Sequence, residues 1–407
     1  VLITAVTVFA ATGCDGVVGD LAPMEAGGGD GSSGGGDGAS TGGGAATGGG
    51  AATGGGAATG GGSATGGGSA AGGGSATGGG SATGGGSATA TGGGSATGGG
   101  SATGGGAGPF PTDGGALVFA DAGTYGVPIN GSPVWRERSI LVLTNAVRLS
   151  PTAYKQSTVY ASGSPSLNTA TVLGATYPSR NPIFNQSDLN RSARQHSVEM
   201  ATLNYFAHES ADGGSTGSRI SSYYSLSGTW GENIAAGNLD PIATMHQWLC
   251  DKPNGATACC DDGASCDGHR RNIMSANFRA LGVGYGNTST STYKHYWTQD
   301  FGGVVNTATP PLVDGTHLLS GASQLRFIAN FSAASAAQSV TLMLADVAVP
   351  MAIDLGTASK GTWFVLTPRA ASCRPYYFVA LDAAGTAWRY PAQGVFQTTG
   401  EGTCTAE

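Results

Sequence analysis

Residues 204–208 read Asn-Tyr-Phe-Ala-His, residues 231–235 read Gly-Glu-Asn-Ile-Ala, and residues 268–274 read Gly-His-Arg-Arg-Asn-Ile-Met. A Tyr-Trp-Thr-Gln run follows at 296–299. Three separate segments thus set His208, Glu232 and His269 beside apolar residues able to anchor them in a fold. Two neutral imidazoles and a carboxylate make a reasonable ligand set for Zn²⁺ with water in the open position. Water on such an ion is acidified and can attack a carbonyl. The same groups can equally form a buried polar cluster that holds loops in place, because perturbed ionisable clusters are often structural.

The surroundings of these segments read as alternating helix and strand. Leu189, Ala193, His196, Met200 and Leu203 fall at steps of four and three, one face of a helix. Ser187 or Asp188 is the expected cap of that helix. Asp240-Pro241 pairs a capping residue with proline at the first helical position and opens a helix whose inner side carries Ile242, Met245, Trp248 and Leu249. A further helix spans 139–148 and ends before Pro151. Residues 279–286 and 293–302 read as two strands joined across the Asn287–Thr292 turn. On this pattern His196 is a core histidine, His246 is exposed and His295 is a surface or cross-strand residue. Tyr296 and Gln299 are candidates for the mouth of a cavity, each with either face open to it.

In this order the segments resemble the CAP superfamily (cysteine-rich secretory proteins, antigen 5 and pathogenesis-related proteins), its bacterial SCP-like branch most of all. The resemblance covers about 140–303. It implies an α+β fold, a CAP-type α-β-α sandwich with a small antiparallel sheet, and a cavity lined by two histidines and two acids. His208, Glu232 and His269 match three of them by motif. The fourth follows a tryptophan three residues later in many eukaryotic members, which here is Asp251, a residue shorter by one methylene and followed by a Cys-rich insertion. Some relatives hold a divalent metal at the paired histidines, so the resemblance implies a metal site at His208 and His269. Others take up sterols or lipids.

The rest of the chain is organised around that unit. Residues 1–13 read as the apolar core of an export signal truncated at its start, and Ala11-Thr12-Gly13-Cys14 looks like a bacterial lipobox with Cys14 lipidated. Residues 14–126 then form the lipidated cysteine and a disordered stalk, in which Gly-Gly-Gly followed by Ala-Ala-Thr or Ser-Ala-Thr repeats from Gly42. Such a sequence has nothing to bury, so ordering it has no return. Its part from 15 to 108, as a flexible coil of about 90 residues, would reach roughly 50 Å. The SCP-like domain is expected over 127–305. A second domain, over 310–407, carries short β-rich runs at 325–331, 339–345, 363–367, 375–380 and 387–390, which suggests an all-β, immunoglobulin-like sandwich.

Beyond Cys14 there are six cysteines, an even number that in an exported chain argues for disulfides. Cys373 and Cys404 are expected to pair, closing a loop of about thirty residues for roughly 3.5 kcal/mol. Adjacent cysteines rarely bond each other. Cys250 is therefore expected to pair with one of Cys259 and Cys260, and Cys266 with the other. Asp261, Asp262 and Asp267 in this insertion read as a solvated acidic loop, and one of Arg270 and Arg271 as a paired structural arginine.

Charge narrows the partners. Every Lys and Arg, 18 in all, lies at or beyond Arg136, and the formal net charge of −7 comes entirely from acids before that point. A neutral folded region offers no footprint for a phosphate backbone, so no nucleic-acid partner is expected. No His-Glu-x-x-His helix and no Gly-x-Ser-x-Gly elbow at a strand end is present. Two readings follow. In one, an envelope lipoprotein, held to a membrane by its lipid anchor or released outside the cell, uses a His/Glu-lined cleft to bind a lipid, glycan or protein. In the other, Zn²⁺ at His208 and His269, with Glu232 as base or ligand, hydrolyses envelope peptides or glycans.

Overall fold

The structure, a computed structural model, describes residues 17–19, 117–226 and 228–399. The signal segment, Cys14, the Gly-rich repeats and Cys404 lie outside the described residues. Three residues at the start, β1 (Val17–Gly19), are followed by α1 (Trp135–Leu149), α2 (Pro151–Gln156), β2 (Phe184–Asn185) and α3 (Ser187–Leu203). Next come α4 (Thr216–Ser221), β3 (Trp230–Ala236), α5 (Pro241–Cys250), α6 (Gly268–Met274), β4 (Ala280–Asn287) and β5 (His295–Gly302). Strands β6 (Leu312–Ser320), β7 (Gln324–Ser332), β8 (Ser339–Leu344), β9 (Val347–Pro350) and β10 (Ala352–Gly356) open the C-terminal region. It closes with β11 (Lys360–Pro368), β12 (Pro375–Leu381), β13 (Ala387–Tyr390) and β14 (Phe396–Gln397).

The first sheet has the order β1-β3-β5-β4-β2, antiparallel except where β2 meets β4. Strand alternation divides its side chains between two helical layers. Val283, Trp297 and Phe301 face α1 and α5, joining Leu141, Met245, Trp248 and Leu249 in one apolar core. On the other face β4 presents Gly282, Gly284 and Gly286 to α3, where a Cβ would overlap the backbone of Leu189, Ala193 and Ser197. The bare stripe lets α3 lie directly on the strand. No side chain of α3 caps its start: the N-cap is Gln186 and makes no capping bond, so the expected Ser187 or Asp188 cap is replaced by helix turns already begun there. Asp240 does cap α5, its carboxylate accepting from the Ile242 N–H at 3.1 Å.

The C-terminal region is two antiparallel sheets, β10-β11-β7-β6 and β13-β12-β8-β9 with β14 beside β12. Phe327, Phe331, Leu342, Tyr376 and Phe378 share one apolar core between them. That core also takes Ala122 and Tyr125, and Phe119 bridges to Ala387. The segment read as linker up to residue 126 therefore ends earlier, because Phe119 and Tyr125 are apolar residues with a surface to cover. Val17–Gly19, also read as linker, pairs with the free edge of β3.

Helix α1 joins the two regions. Every residue of it except Arg136 is buried, as expected of a helix covered on both sides. One side packs on the first sheet. The other meets Leu318, Ile328 and Leu355 from β6, β7 and β10. Polar ties cross the same seam: Asn330 donates to the Val142 carbonyl at 2.9 Å, and Trp135 stacks on His317 with ring centroids 5.4 Å apart.

Candidate functional site

His208 stands in the loop between α3 and α4, and its Nδ1 meets Glu232 Oε1 at 2.7 Å. Arg219 of α4 closes the other side of that carboxylate with a short bond from Nη2 to Oε2. The same guanidinium donates to the His208 carbonyl at 3.1 Å and to Ser210 Oγ at 2.9 Å, so one arginine holds both the acid and the loop that carries its histidine. Burial alone would raise the Glu232 carboxyl. The His208 hydrogen bond, with His196 and Arg219 nearby, instead holds it below its usual range.

The second pair forms at the other end of the motif set. Asp251 follows α5 with φ of +48°, the left-handed cap position. Its Oδ1 meets His269 Nδ1 in a short contact, and its Oδ2 accepts the Arg270 N–H at 2.9 Å. A carboxylate in that cap position thus serves the next helix, α6, from its first turn. His269 Nε2 is buried and, among the described residues, has no hydrogen-bond partner.

Two asparagines connect the pairs. Asn272 donates to the Glu232 carbonyl at 3.1 Å and to Asn233 Oδ1 at 2.9 Å, and Asn233 donates to the His269 carbonyl at 3.2 Å. His208–Glu232 and His269–Asp251 therefore flank β3. A cavity of about 570 Å³ opens beside them, lined by Phe206, Ile234, Ala236, His246, His269 and Tyr293 among others. His208, Glu232 and Asp251 are not among its lining residues.

Of the remaining candidates, His196 is a core residue whose Nε2 meets the Ala207 carbonyl at 2.9 Å. His246 is buried rather than exposed: its Nε2 meets the Pro165 carbonyl at 2.9 Å, and the 163–165 loop packs on its ring. Helical spacing could not show this, because the covering loop lies far away in sequence. Burial lowers the pKa of both rings. His295 stacks on Tyr285 at the sheet end. Tyr296 and Gln299 are buried, Gln299 donating to Thr144 Oγ1 at 2.9 Å, so neither is at a mouth.

The cysteine insertion is stapled by Cys250–Cys259 and Cys260–Cys266. Cys373 is also disulfide-bonded. Of the three acids read as a solvated loop, Asp261 is exposed, whereas Asp262 and Asp267 are clamps. Asp262 accepts the Gly174 N–H at 2.7 Å and Arg270 Nε at 2.8 Å, while Asp267 is buried and bonds Tyr177, Gly263 and Arg271. Arg270 is fully enclosed, with the Leu249 and Cys260 carbonyls as further acceptors.

Two site residues escaped the sequence reading. Arg219 is the only cation in its short helix, and Asp300 is the only charged residue of the Tyr-Trp-Thr-Gln strand. The available signal was a charge standing in an otherwise neutral or apolar element. Asp300 lies directly across from Glu232, fully buried, and burial with the nearby Glu232 charge pushes its carboxyl well above the usual range.

Among the described residues no group of three or more His, Cys, Asp and Glu is placed to hold a metal ion. No helix there is long and apolar enough to cross a membrane.

Residues 181–301 match the family model described as the cysteine-rich secretory protein family, CAP. The chain is 32% identical over 120 residues to the uncharacterized protein YkwD of Bacillus subtilis, a match covering 30% of this chain and 39% of YkwD. Among solved structures it is similar to an extracellular protein containing an SCP domain from Bacillus anthracis, at 29% identity, covering 30% of this chain and 33% of that one with a TM-score of 0.22. It is also similar to an outer surface protein of Borrelia burgdorferi, at 16% identity, covering 30% of this chain and 77% of that one with a TM-score of 0.24. The chain carries a bacterial SCP-like CAP domain.

Proposed function

We propose that this chain is an exported binding module of the cell envelope, and that the cavity beside β3 holds an apolar group of its ligand. The observation that carries this reading is the make-up of that cavity. Phe206, Ile234, Ala236 and Tyr293 supply apolar wall, Ser162, Asn238, Gln247, Lys252 and Asn254 line it with polar groups, and His269 Nε2 is buried with no partner among the described residues. An apolar pocket with few convergent polar groups is the usual form of a small-molecule site. An amphipathic ligand such as a lipid, with an apolar body and a polar head, fits a wall of this mixed make-up. The two stapled cysteine pairs accord with an oxidising compartment. Lipidation of Cys14 would supply the membrane partner, and the C-terminal sheets, read as an immunoglobulin-like sandwich, would act as a spacer or second adhesive unit.

The test is extraction of labelled fatty acid or sterol from vesicles by the purified chain. Saturable uptake that Ala236→Trp abolishes by filling the cavity supports the reading. Undiminished uptake in Ala236→Trp, or none in wild type, rejects it.

The hydrolase reading rests on a different observation. Both imidazoles present Nδ1 to a carboxylate, the arrangement that orients histidine Nε2 toward a metal. His208 and His269 would supply two nitrogens to Zn²⁺, which would acidify water there. Glu232 already serves His208 and Arg219, and Asp251 serves His269 and Arg270, so further ligands would be water or substrate. Calorimetric titration with Zn²⁺ decides: binding lost in both His208→Ala and His269→Ala supports this site, and equal heats in all three proteins eliminate it.

A further inference from the structure

We propose that the outer edge of β3 at Trp230–Glu232 binds an extended peptide of another protein, added to the sheet as a strand in the place that Val17–Gly19 takes. The site is separate from the cavity and stands whichever ligand the cavity holds.

The backbone of β3 defines it. Gly237 donates its N–H to the His295 carbonyl at 2.9 Å. Hydrogen-bonding direction alternates along an antiparallel strand. The N–H and C=O groups of Trp230, Glu232 and Ile234 therefore point away from β5. Helices close the far part of this edge: Trp248 of α5 donates Nε1 to the Ile234 carbonyl at 2.9 Å, and Asn272 of α6 donates to the Glu232 carbonyl at 3.1 Å. Trp230–Glu232 is left to accept a strand, and there the chain seats its own. Val17 stands opposite Glu232, Val18 opposite Gly231 and Gly19 opposite Trp230, running antiparallel. By the same alternation, Val17 and Gly19 are the residues that exchange bonds with Glu232 and Trp230. Glu232 is buried, and a buried N–H needs an acceptor, so this edge calls for an occupant.

The occupant in place is a short one. Val17–Gly19 is three residues long, against seven for β3. Edges paired over so few residues open locally while the rest of a sheet stays intact. Strand addition draws its affinity from main-chain bonds, so an extended segment offering the same row of N–H and C=O groups competes for the edge. Its position gives that competition a consequence. A peptide residue opposite Glu232 lies beside the strand position whose side chain holds His208 and Arg219. The register of the chain's own segment also describes the partner: β-branched residues, which favour extended backbone, followed by glycine opposite Trp230. An identical segment from a second copy would make the same bonds and lose translational freedom besides, so the partner is a different protein.

Fluorescence anisotropy with the labelled peptide Asp-Gly-Val-Val-Gly-Asp-Leu, the sequence of residues 15–21, tests this on the full chain. Val17→Pro with Gly19→Pro removes the N–H groups that face β3 and vacates the edge. Removing an internal competitor should tighten apparent binding about ten-fold over wild type. Binding should vanish when the peptide carries the same prolines. Equal affinity for both proteins, or no saturable binding to the variant, overturns the proposal. Hydrogen exchange reads the edge directly. The Trp230 and Glu232 amides should be protected in wild type, exposed in the variant and protected again by peptide. Amides as protected in the variant as in wild type overturn the proposal. If the variant does not fold, wild type with excess peptide decides. Exchange at residues 17–19 should then speed up while Trp230 and Glu232 stay protected, and unchanged exchange at 17–19 overturns the proposal. A wild-type dimer in sedimentation that the double variant loses would assign the edge to a second copy and overturn it as well.

Discussion

Glu232 under α3 and Asp314 on β6 are both carboxyls with no solvent exposure, yet their surroundings push them in opposite directions. Glu232 is held below its usual range, ion-paired with Arg219 and bonded to His208. Asp314 lies in the seam between α1 and the C-terminal sheets, where two amides reach it: Asn145 and Asn330 each donate at 2.7 Å. Burial pushes its pKa up to about 7, and the two amides offset only part of that. Enclosure sets the cost of a charge, and the neighbours decide whether the charge or the proton stays. At the CAP site the fold retains a charge. At the seam it retains a polar clasp close to neutrality.

The largest expected effect breaks the Glu232 side of this comparison. Arg219→Met leaves a buried carboxylate without its cation and should cost about 3–5 kcal/mol in denaturant unfolding. Adding Glu232→Gln should restore part of that loss; a double variant as unstable as the single one would mean that Arg219 acts through packing instead. Next comes the helix that covers Glu232. Gly284→Ala places a methyl against the Ala193 backbone and should cost about 1–3 kcal/mol, checked by the same unfolding curves.

The Asp314 side is read through pH. Its folded pKa, about 7, lies above the ordinary value of 3.8, so its stabilising contribution is complete below 3.8 and is lost as pH rises toward 7. Inside that window the slope from this group is about 1.4 kcal/mol per pH unit. Asp314→Asn should flatten the profile there, and an unchanged slope would remove the contrast with Glu232. The smallest effect belongs to a pair without burial. Arg191 and Asp188 meet at 2.7 Å on the outer side of α3 with both side chains partly exposed. Arg191→Ala should shift stability by no more than about 0.5 kcal/mol, and a larger change would mean that enclosure is not what separates these sites.

Much of the CAP region was legible because its signals are local. The steps of Leu189, Ala193, His196 and Met200 define α3, Asp240-Pro241 opens α5, and the runs flanking 287–294 pair as β4 and β5. His208, Glu232, His269 and Asp251 were singled out by motif, and the structure sets them as two carboxylate–imidazole pairs. Other features were hidden for a common reason. Arg219 reaches Glu232 from another element, His246 is covered by the 163–165 loop, and Asp262 and Asp267 clamp segments outside their own insertion. Each depends on a partner distant along the chain.

From residue order alone came the helix faces, the caps, the hairpin, the even set of cysteines and the residues of the CAP motif. Periodicity and backbone bonding act over a few residues and can be read there. Only the folded chain decided that Asp300 stands opposite Glu232, that both faces of α1 are covered, and that two asparagines enclose Asp314. Those outcomes depend on strand register and on the packing of remote elements, and these set the electrostatic environment that local sequence leaves open.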